Sequence, residues 1–155
     1  MLLHPVQWYS MPALLKLWLD EVLTQGWAYG RGGTALQGKD LWLVARTGGP
    51  EASYHPQGYN RSFFDAFLPP YEQTATLCGM RFLPPLVLHG AHHVSASDIE
   101  EHVNTITEHL RRWPDWPEIA DLMPCIQGEA PEGERPAPEL ADAPVTEAQL
   151  AEVAR

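Results

Sequence analysis

The feature that most constrains the fold is an alternation of short apolar runs with amphipathic helical segments. The apolar runs lie at residues 1–3, 40–45 and 82–89, and the helical segments lie at 11–23, 62–78 and 97–113. Uninterrupted apolar runs of this length are typical of strands that are buried on both faces of a parallel sheet. The order βαβαβα therefore predicts an α/β fold in which right-handed crossovers join parallel strands.

The first helical segment has the clearest periodicity. Its apolar side chains form one stripe at helical spacing, which consists of Met11, Leu14, Leu15, Trp18, Leu19, Val22 and Leu23. The pattern predicts Ser10 as the N-cap and places Pro12 in the first turn, where a missing N–H is tolerated. The part of the stripe that consists of Leu14, Trp18 and Val22 is interpreted as core or as a dimer interface, not as a cofactor site.

Prolines mark the other two helical segments. Pro69 and Pro70 fall inside the second segment and predict a kink there, while Pro114 ends the third. The predicted buried face of the second segment consists of Phe63, Phe64, Phe67, Leu68, Tyr71, Ala75 and Cys78. The predicted core stripe of the third consists of Ile99, Val103, Ile106 and Leu110.

Charge divides the chain into a near-neutral body and an acidic tail. Residues 1–114 hold 10 acidic and 8 basic side chains, whereas residues 115–155 hold 10 acidic and 2 basic ones. A body without an excess of basic residues argues against nucleic-acid binding. The tail is rich in proline and alanine and is expected to be largely disordered, apart from a short helix over 115–122. We therefore predict one domain, 1–114, and an acidic tail, 115–155.

Cysteine and histidine spacing indicates neither a disulfide framework nor a metal site. Cys78 and Cys125 are 47 residues apart, which predicts a reduced, cytosolic protein. His89, His92 and His93 are interpreted as part of a solvated loop rather than as metal ligands. We also expect no secretory leader and no membrane span.

Two loops follow neighbouring strands and are expected to meet at one edge of the sheet. They are HPVQWY at 4–9 and RTGGPE at 46–51. Ligands of open α/β sheets bind at the carboxyl ends of the strands. Trp8 offers an aromatic wall, and the backbone N–H groups of Thr47, Gly48 and Gly49 can approach a ligand closely. The pattern suits a flat, electron-poor ring such as a flavin, although the residues alone leave a simple tight turn open.

Several motifs, in order along the chain, resemble the flavodoxin-like NAD(P)H:quinone oxidoreductases. The motifs are the stretch 4–23, Gly26–Gly30, Leu36–Lys39, Thr47–Gly49 and Cys78–Met80. The resemblance covers residues 1–113 and includes the ancillary proteins of Kef glutathione-gated potassium efflux systems. It implies the C-terminal part of a flavodoxin-like parallel-sheet sandwich.

The resemblance also implies a flavin cofactor, FMN here and FAD in more distant relatives. The residues implied to bind it are Pro5, Val6, Gln7 and Trp8 in the first loop and Ala45, Arg46, Thr47, Gly48 and Gly49 in the second. Hydride would pass from NAD(P)H to the flavin and then to a quinone. A homodimer is implied as well, because relatives complete their active sites with a partner copy.

Departures from the family pattern affect the implied catalytic positions. In distant mammalian relatives a Tyr and a His after the TGG motif assist charge transfer. Tyr54 lies at the Tyr position, but Asn60 lies at the His position, and His55 is a nearby substitute. Arg46 replaces a small residue, and its long cation either contacts the cofactor or obstructs the site.

The first half of the family fold, which carries the flavin phosphate loop, has no counterpart in this sequence. In a sheet of order 2-1-3-4-5 the chain is expected to keep the end of strand 3, then strands 4 and 5. Two functions therefore stay open. One is an FMN-dependent NAD(P)H:quinone oxidoreductase, ancillary to a potassium efflux system. The other is a non-enzymatic regulatory subunit, or a truncated fragment, that binds a cation/proton antiporter at the inner face of the cell membrane.

Overall fold

A computed structural model describes residues 1–117 and has the predicted α/β architecture. The strands are β1 (Leu2–Pro5), β2 (Asp40–Arg46) and β3 (Arg81–Leu88), the helices are α1 (Ala13–Val22), α2 (Pro69–Leu77) and α3 (Ala96–Arg112), and 3-10 turns span Glu51–Ser53 and Phe64–Phe67. The predicted order βαβαβα is confirmed. Cys125, the predicted disordered tail and most of the predicted helix over 115–122 lie outside the described residues. The domain boundary after residue 114 stays a prediction.

In the described part of the chain the strands form one parallel sheet of order β1-β2-β3. Pro5 lies in register with Arg46, and Arg46 lies in register with Leu88. The register shifts between Trp42 and Val44, opposite two prolines of β3 that have no N–H for the ladder. The carboxyl ends of all three strands therefore reach the same edge of the sheet, as predicted.

Helices cover both faces of the sheet unequally. The α1 and α2 face has the larger buried cluster, which consists of Met11, Leu41, Leu43, Ala45, Leu68, Tyr71, Ala75 and Phe82. On the α3 face the buried residues are Trp42, Val44 and Leu83, against which Ile106 and Trp116 pack. The core therefore lies mainly between the sheet and the helices α1 and α2.

The predicted N-cap of the first helix is wrong. Helix α1 begins at Ala13 and is preceded by Pro12, with no side-chain hydrogen bond at the cap. Ser10 instead exchanges backbone hydrogen bonds with Gln7, at 2.9 and 3.0 Å. These bonds close a turn at Ser10, and the helix starts so much later that Pro12, not Ser10, occupies the cap position.

The stripe on α1 is only partly core. Leu15 and Leu19 pack against the buried cluster, whereas Leu14 and Trp18 are 81% and 51% exposed. Interpretation of Leu14 and Trp18 as core is therefore wrong, because the apolar stripe is wider than the surface that the sheet offers. A dimer interface on this face stays a prediction.

The second helix starts where a kink was predicted. Pro69 and Pro70 occupy the first turn of α2, where the missing N–H groups break no helical hydrogen bond. The residues before them form the separate 3-10 turn Phe64–Phe67. Phe63, which the pattern predicts as buried, is 54% exposed because it precedes both elements.

The third helix is held by a capping box at Ser95. The Ser95 hydroxyl accepts the N–H of Asp98, and the Asp98 carboxylate accepts the N–H of Ser95. Ile106 of the predicted core stripe packs on the sheet. The other three stripe residues, Ile99, Val103 and Leu110, are 48%, 51% and 53% exposed, so that part of the prediction is wrong.

Asp40 connects the amino ends of β2 and β3 to the segment that follows α3. Arg81 donates from Nε to Oδ1 of Asp40 at 2.7 Å and from Nη2 to Oδ2 at 3.0 Å. The Trp113 indole donates to Oδ2 of Asp40 at 2.8 Å. The hydrogen bond from Arg81 is the main reason that the pKa of Asp40 lies below its usual value.

We expect Asp40→Ala to lower the free energy of unfolding by about 2–3 kcal/mol, because it removes the acceptor that Arg81 and Trp113 share. The carboxylate stabilises the fold at neutral pH and loses this effect as the pH falls through its lowered pKa. The difference between variant and wild type should therefore shrink below about pH 4. Urea unfolding at pH 7 and at pH 3 measures both effects.

Asp20→Ala is the matched control for this substitution. Asp20 pairs with Lys16 on the surface of α1, where both side chains are more than half exposed. Such exposed pairs contribute less than about 1 kcal/mol. An equal loss of stability in the two variants would contradict the structural role of Asp40.

Candidate functional site

Backbone hydrogen bonds join the loop after β2 to the loop after β3. The N–H of Thr47 donates to the carbonyl of Leu88, the N–H of Gly90 to that of Gly49, and the N–H of Ala91 to that of Thr47, each at 2.9 Å. The two loops therefore form one connected surface. We call this surface, together with the loop after β1, the carboxyl edge.

The loop after β1 presents Trp8 to solvent on a tight turn. The N–H of Val6 donates to the carbonyl of Arg46 at 2.8 Å, and the turn Gln7–Ser10 follows directly. Trp8 and Tyr9 have φ angles of 50° and 63°, which a hairpin-type turn requires but which are costly for residues other than glycine. Trp8 is 95% exposed. A strained turn thus holds a large aromatic ring in solvent, and such strain is concentrated at functional sites.

An aromatic cluster joins the loop after β1 to the loops after β2 and β3. Tyr9 stacks on Phe67 with a centroid distance of 5.4 Å. Tyr54 packs against Phe64, Phe67 and His89, with centroid distances of 5.4, 6.0 and 5.1 Å. The structure therefore brings Tyr54, one of the sequence-predicted residues, to the carboxyl edge.

The Thr47–Gly49 loop is fixed by the buried Thr47 and leaves two backbone donors without an acceptor in the described part of the chain. Thr47 is 1% exposed, and its hydroxyl donates to the carbonyl of Gly49 at 2.8 Å. Its N–H is already bonded to Leu88, so it is not the free donor that the sequence suggests. The N–H groups of Gly48 and Gly49 have no acceptor among residues 1–117, and Gly48 is exposed. The loop can therefore offer two donors to a ligand.

The other residues predicted as catalytic are not brought to the carboxyl edge by any side-chain contact in the described structure. The His55 ring packs against Phe63 at 5.1 Å, and its Nδ1 lies 3.3 Å from the N–H of Gln57. Asn60 donates its backbone N–H to the carbonyl of Ser53 at 2.9 Å. Asn60 therefore contributes a backbone bond to the loop that carries Tyr54.

The sequence did not indicate His89 as a site residue. The ring is half-buried, and its Nδ1 lies 3.0 Å from the hydroxyl of Thr47. Burial lowers the pKa of His89, while the charge of Glu51 opposes that shift. Interpretation as a solvated loop is therefore wrong for His89, although His92 and His93 are exposed. The signal that could have identified it is its position directly after the third strand.

The remaining cofactor-binding residues predicted from the resemblance differ in exposure. Ala45 is buried in the core, whereas Gln7 and Arg46 are exposed. Arg46 borders a groove of about 370 Å³ on the sheet, which Leu3 and Ile106 also line. The Arg46 side chain therefore has open space beside the carboxyl edge.

Two further properties concern metals and membranes. Within the described residues no three His, Cys, Asp or Glu side chains are arranged to hold a metal ion. Among the helices of residues 1–117, none has the length and apolar character needed to cross a bilayer.

Known proteins resemble this chain in sequence and in structure. The glutathione-regulated potassium-efflux system ancillary protein KefF of Salmonella newport (strain SL254) is 41% identical over 116 residues, which covers 72% of this chain and 62% of KefF. The chain thus spans about 62% of the length of the curated relatives it matches.

Solved structures are similar to this chain as well. The NADPH-quinone reductase from P. pentosaceus has a TM-score of 0.65 and 29% identity, and the match covers 69% of this chain and 63% of that one. The general stress protein 14 from Treponema denticola was solved in complex with FMN. It has a TM-score of 0.60 and 37% identity, and the match covers 70% of this chain and 60% of that one.

The family comparison agrees with these likenesses. The sequence profile of a family that is described as having a flavodoxin-like fold matches residues 1–110. The parallel sheet of β1, β2 and β3 with helices on its faces agrees with the predicted flavodoxin-like α/β fold. The chain therefore belongs to the flavodoxin-like family that includes NAD(P)H:quinone oxidoreductases and the Kef ancillary proteins.

Proposed function

We propose that the carboxyl edge binds the ring of FMN and that the protein uses it to transfer hydride from NAD(P)H to a quinone. The observation that carries the proposal is the exposed Trp8 ring on its strained turn, at the same edge as the free N–H groups of Gly48 and Gly49. The likeness to general stress protein 14, which binds FMN, and to the NADPH-quinone reductase of P. pentosaceus supports the same chemistry.

The residues present fit a flavin ring. A flat, electron-poor ring needs an aromatic or apolar wall, which the 95% exposed indole of Trp8 supplies. Its pyrimidine edge carries acceptor atoms, and Gly48 and Gly49 have N–H donors that no acceptor within residues 1–117 occupies. These features fit the ring portion of FMN.

Bound FMN would supply a two-electron carrier between NAD(P)H and the quinone. The N–H groups of Gly48 and Gly49 would stabilise negative charge that develops at the pyrimidine edge. Trp8 would exclude water from one side of the ring, and the aromatic cluster around Tyr54 would exclude it near the Thr47–Gly49 loop. The buried hydroxyl of Thr47 keeps that loop in shape through its bond to Gly49.

Titration of FMN with the purified 155-residue chain tests the proposal. Flavin fluorescence should fall to a saturating plateau, because a stacked indole quenches it, and gel filtration should retain visible flavin absorption. Oxidation of NADPH by a quinone should then depend on added FMN. A fluorescence change that does not saturate would overturn the proposal.

We expect Trp8→Ala to weaken FMN binding by about tenfold, which corresponds to the loss of about 1.4 kcal/mol of ring stacking. The turn should retain its fold, because the bonds between Gln7 and Ser10 are backbone bonds. Fluorescence titration measures the change in Kd.

Trp27→Ala is the matched control for this substitution. Trp27 is 45% exposed and lines a cavity with Lys39 near the amino end of β2, opposite the carboxyl edge. Its removal should change the Kd by less than about twofold. Equal weakening in the two variants would contradict stacking on Trp8.

A regulatory role without turnover is the second candidate. It is favoured by Leu14, Leu17 and Trp18, which are each more than half exposed on one helix and form an apolar patch. A homodimer on this patch, or a potassium/proton antiporter at the inner face of the membrane, would cover it. The likeness to KefF supports the link to an efflux system. A chain that activates such an antiporter but binds no FMN would favour this candidate.

A further inference from the structure

We propose that His89 is the proton-transfer residue of the carboxyl edge. The resemblance assigns this role to a histidine after the TGG motif, where this chain has Asn60. His89 lies on the loop after β3 and reaches the Thr47–Gly49 loop from the side. The proposal rests on the proposed flavin and quinone chemistry. It places the proton donor on the loop after β3, whereas the family pattern places it on the loop after the TGG motif.

The hydrogen bonds around Thr47 determine the tautomer of His89. The Thr47 hydroxyl has one proton, which it donates to the carbonyl of Gly49 at 2.8 Å. The contact of 3.0 Å between this hydroxyl and Nδ1 of His89 therefore requires a proton on Nδ1. In the neutral ring Nε2 is then the atom with a lone pair, so it is the position that can take up a proton.

The second nitrogen of His89 is available for that exchange. Nε2 makes no hydrogen bond to any residue in the described range. Within that range no side-chain nitrogen or oxygen is both sealed from solvent and without a partner. Nε2 therefore reaches solvent or a bound ligand, while Nδ1 is anchored to Thr47.

The surroundings of the ring favour its neutral form. Tyr54 packs on it at 5.1 Å and Phe64 at 5.5 Å, so two aromatic rings remove water from its sides. Burial lowers the pKa of His89, and the carboxylate of Glu51 is the charge that acts in the opposite direction. His92, in the same loop, is exposed and lies over Gly48.

The step that needs such a residue is the protonation of the reduced quinone. Conversion of a quinone to a hydroquinone consumes two electrons and two protons. Hydride transfer provides both electrons and one proton and leaves a hydroquinone anion. Nε2 of His89 takes the second proton from solvent and gives it to the anionic oxygen, after which the ring is neutral again. NAD(P)H, the quinone and one solvent proton thus become NAD(P)⁺ and the hydroquinone.

The other histidines near this edge are less suited to the role. His55 packs against Phe63 and has its Nδ1 next to the N–H of Gln57, away from Thr47. His92 and His93 are exposed, and their side chains have no hydrogen-bond partner among the described residues. Only an anchored ring holds its free nitrogen in one place. His92 and His93 lack such an anchor among residues 1–117, and the anchor of His55 is the N–H of Gln57 rather than the Thr47–Gly49 loop.

Nitrogen-15 NMR of the labelled full chain tests the tautomer directly. We expect neutral His89 to carry its proton on Nδ1 and to titrate below the ordinary histidine range. Saturating FMN should shift the His89 titration midpoint and leave the ring resonances of the exposed His93 unchanged. A proton on Nε2 in the neutral ring would overturn the proposal.

The same samples separate the two proposals. Saturable FMN binding with an unchanged His89 midpoint would overturn the role of His89 and leave the proposed function standing. Absence of FMN binding would overturn the proposed function, and the role of His89 would fall with it.

His89→Asn is the decisive variant, because the amide nitrogen of asparagine can replace Nδ1 as the donor to Thr47 but nothing replaces Nε2. We expect kcat for quinone reduction to fall about a hundredfold at pH 7, with KM for the quinone within about twofold of wild type. In wild type, kcat should decrease as the pH rises above the pKa of His89, and the variant should lack this limb. His93→Asn should keep the wild-type profile. An unchanged pH profile in His89→Asn would overturn the proposal.

Discussion

Replacement of Gly48 by valine is expected to weaken FMN binding by about a hundredfold. Gly48 is exposed, and its N–H is one of the two free donors of the Thr47–Gly49 loop within residues 1–117. A branched side chain would stand over both donors. Loss of two hydrogen bonds of about 1.4 kcal/mol each corresponds to this change in Kd. The FMN fluorescence titration measures it.

The fold should survive this substitution. The φ angle of Gly48 lies outside the left-handed region, and a Cβ there would meet only Nε2 and Cδ2 of His92, at 3.1 and 3.2 Å. The His92 side chain is exposed and can move aside, so stability should change by less than about 1 kcal/mol. Gly58→Ala should in contrast destabilise the fold, because the new Cβ would lie 2.3 Å from the backbone oxygen of Ala52.

A double variant separates two explanations of the loss. If the displaced His92 ring is what blocks FMN, removal of that ring should restore binding. Gly48→Val combined with His92→Ala should then bind FMN as tightly as His92→Ala does alone. If the valine blocks the ring, the double variant should stay as weak as Gly48→Val. We expect the second result. Full FMN affinity in Gly48→Val would contradict the assignment of the ring to this loop.

Most element positions follow from hydrophobic periodicity. The second apolar run, 40–45, corresponds to β2 (Asp40–Arg46), and the third helical segment, 97–113, corresponds to α3 (Ala96–Arg112). Periodicity does not determine which side of a wide apolar stripe meets the sheet. On α1 the packed side is that of Leu15 and Leu19, and Leu14 is left 81% exposed. The choice depends on how the helix packs against the buried cluster, which the local pattern does not contain.

The meeting of the two loops at one edge was predicted, and the contacts between them were not. Both loops were expected there because parallel strands end together. The contact between Thr47 and His89, 42 residues apart, depends on the shift in register between β2 and β3. That shift follows from two adjacent prolines in β3 and moves the loop after β3 by one residue. A pattern of residue types does not specify such a shift.

Leu43→Ala is expected to lower the free energy of unfolding by about 3–4 kcal/mol. Leu43 is 1% exposed and lies in register with Leu2 of β1. Because β1 has only 4 residues, loss of packing beneath it should also loosen this strand. Urea unfolding measures the loss. Leu77→Ala is the control, since Leu77 is 63% exposed and its truncation should cost less than about 1 kcal/mol.

The same substitution at Leu83 compares the two faces of the sheet. Leu83 is also 1% exposed, but it belongs to the smaller cluster under α3, where Leu3 is 69% exposed. The cost of a Leu→Ala change depends on how far the surroundings can collapse into the cavity. A thinly covered face can relax further, so Leu83→Ala should cost about 1 kcal/mol less than Leu43→Ala. Equal costs would contradict this ranking and would mean that the α3 face is packed as tightly as the α1 and α2 face.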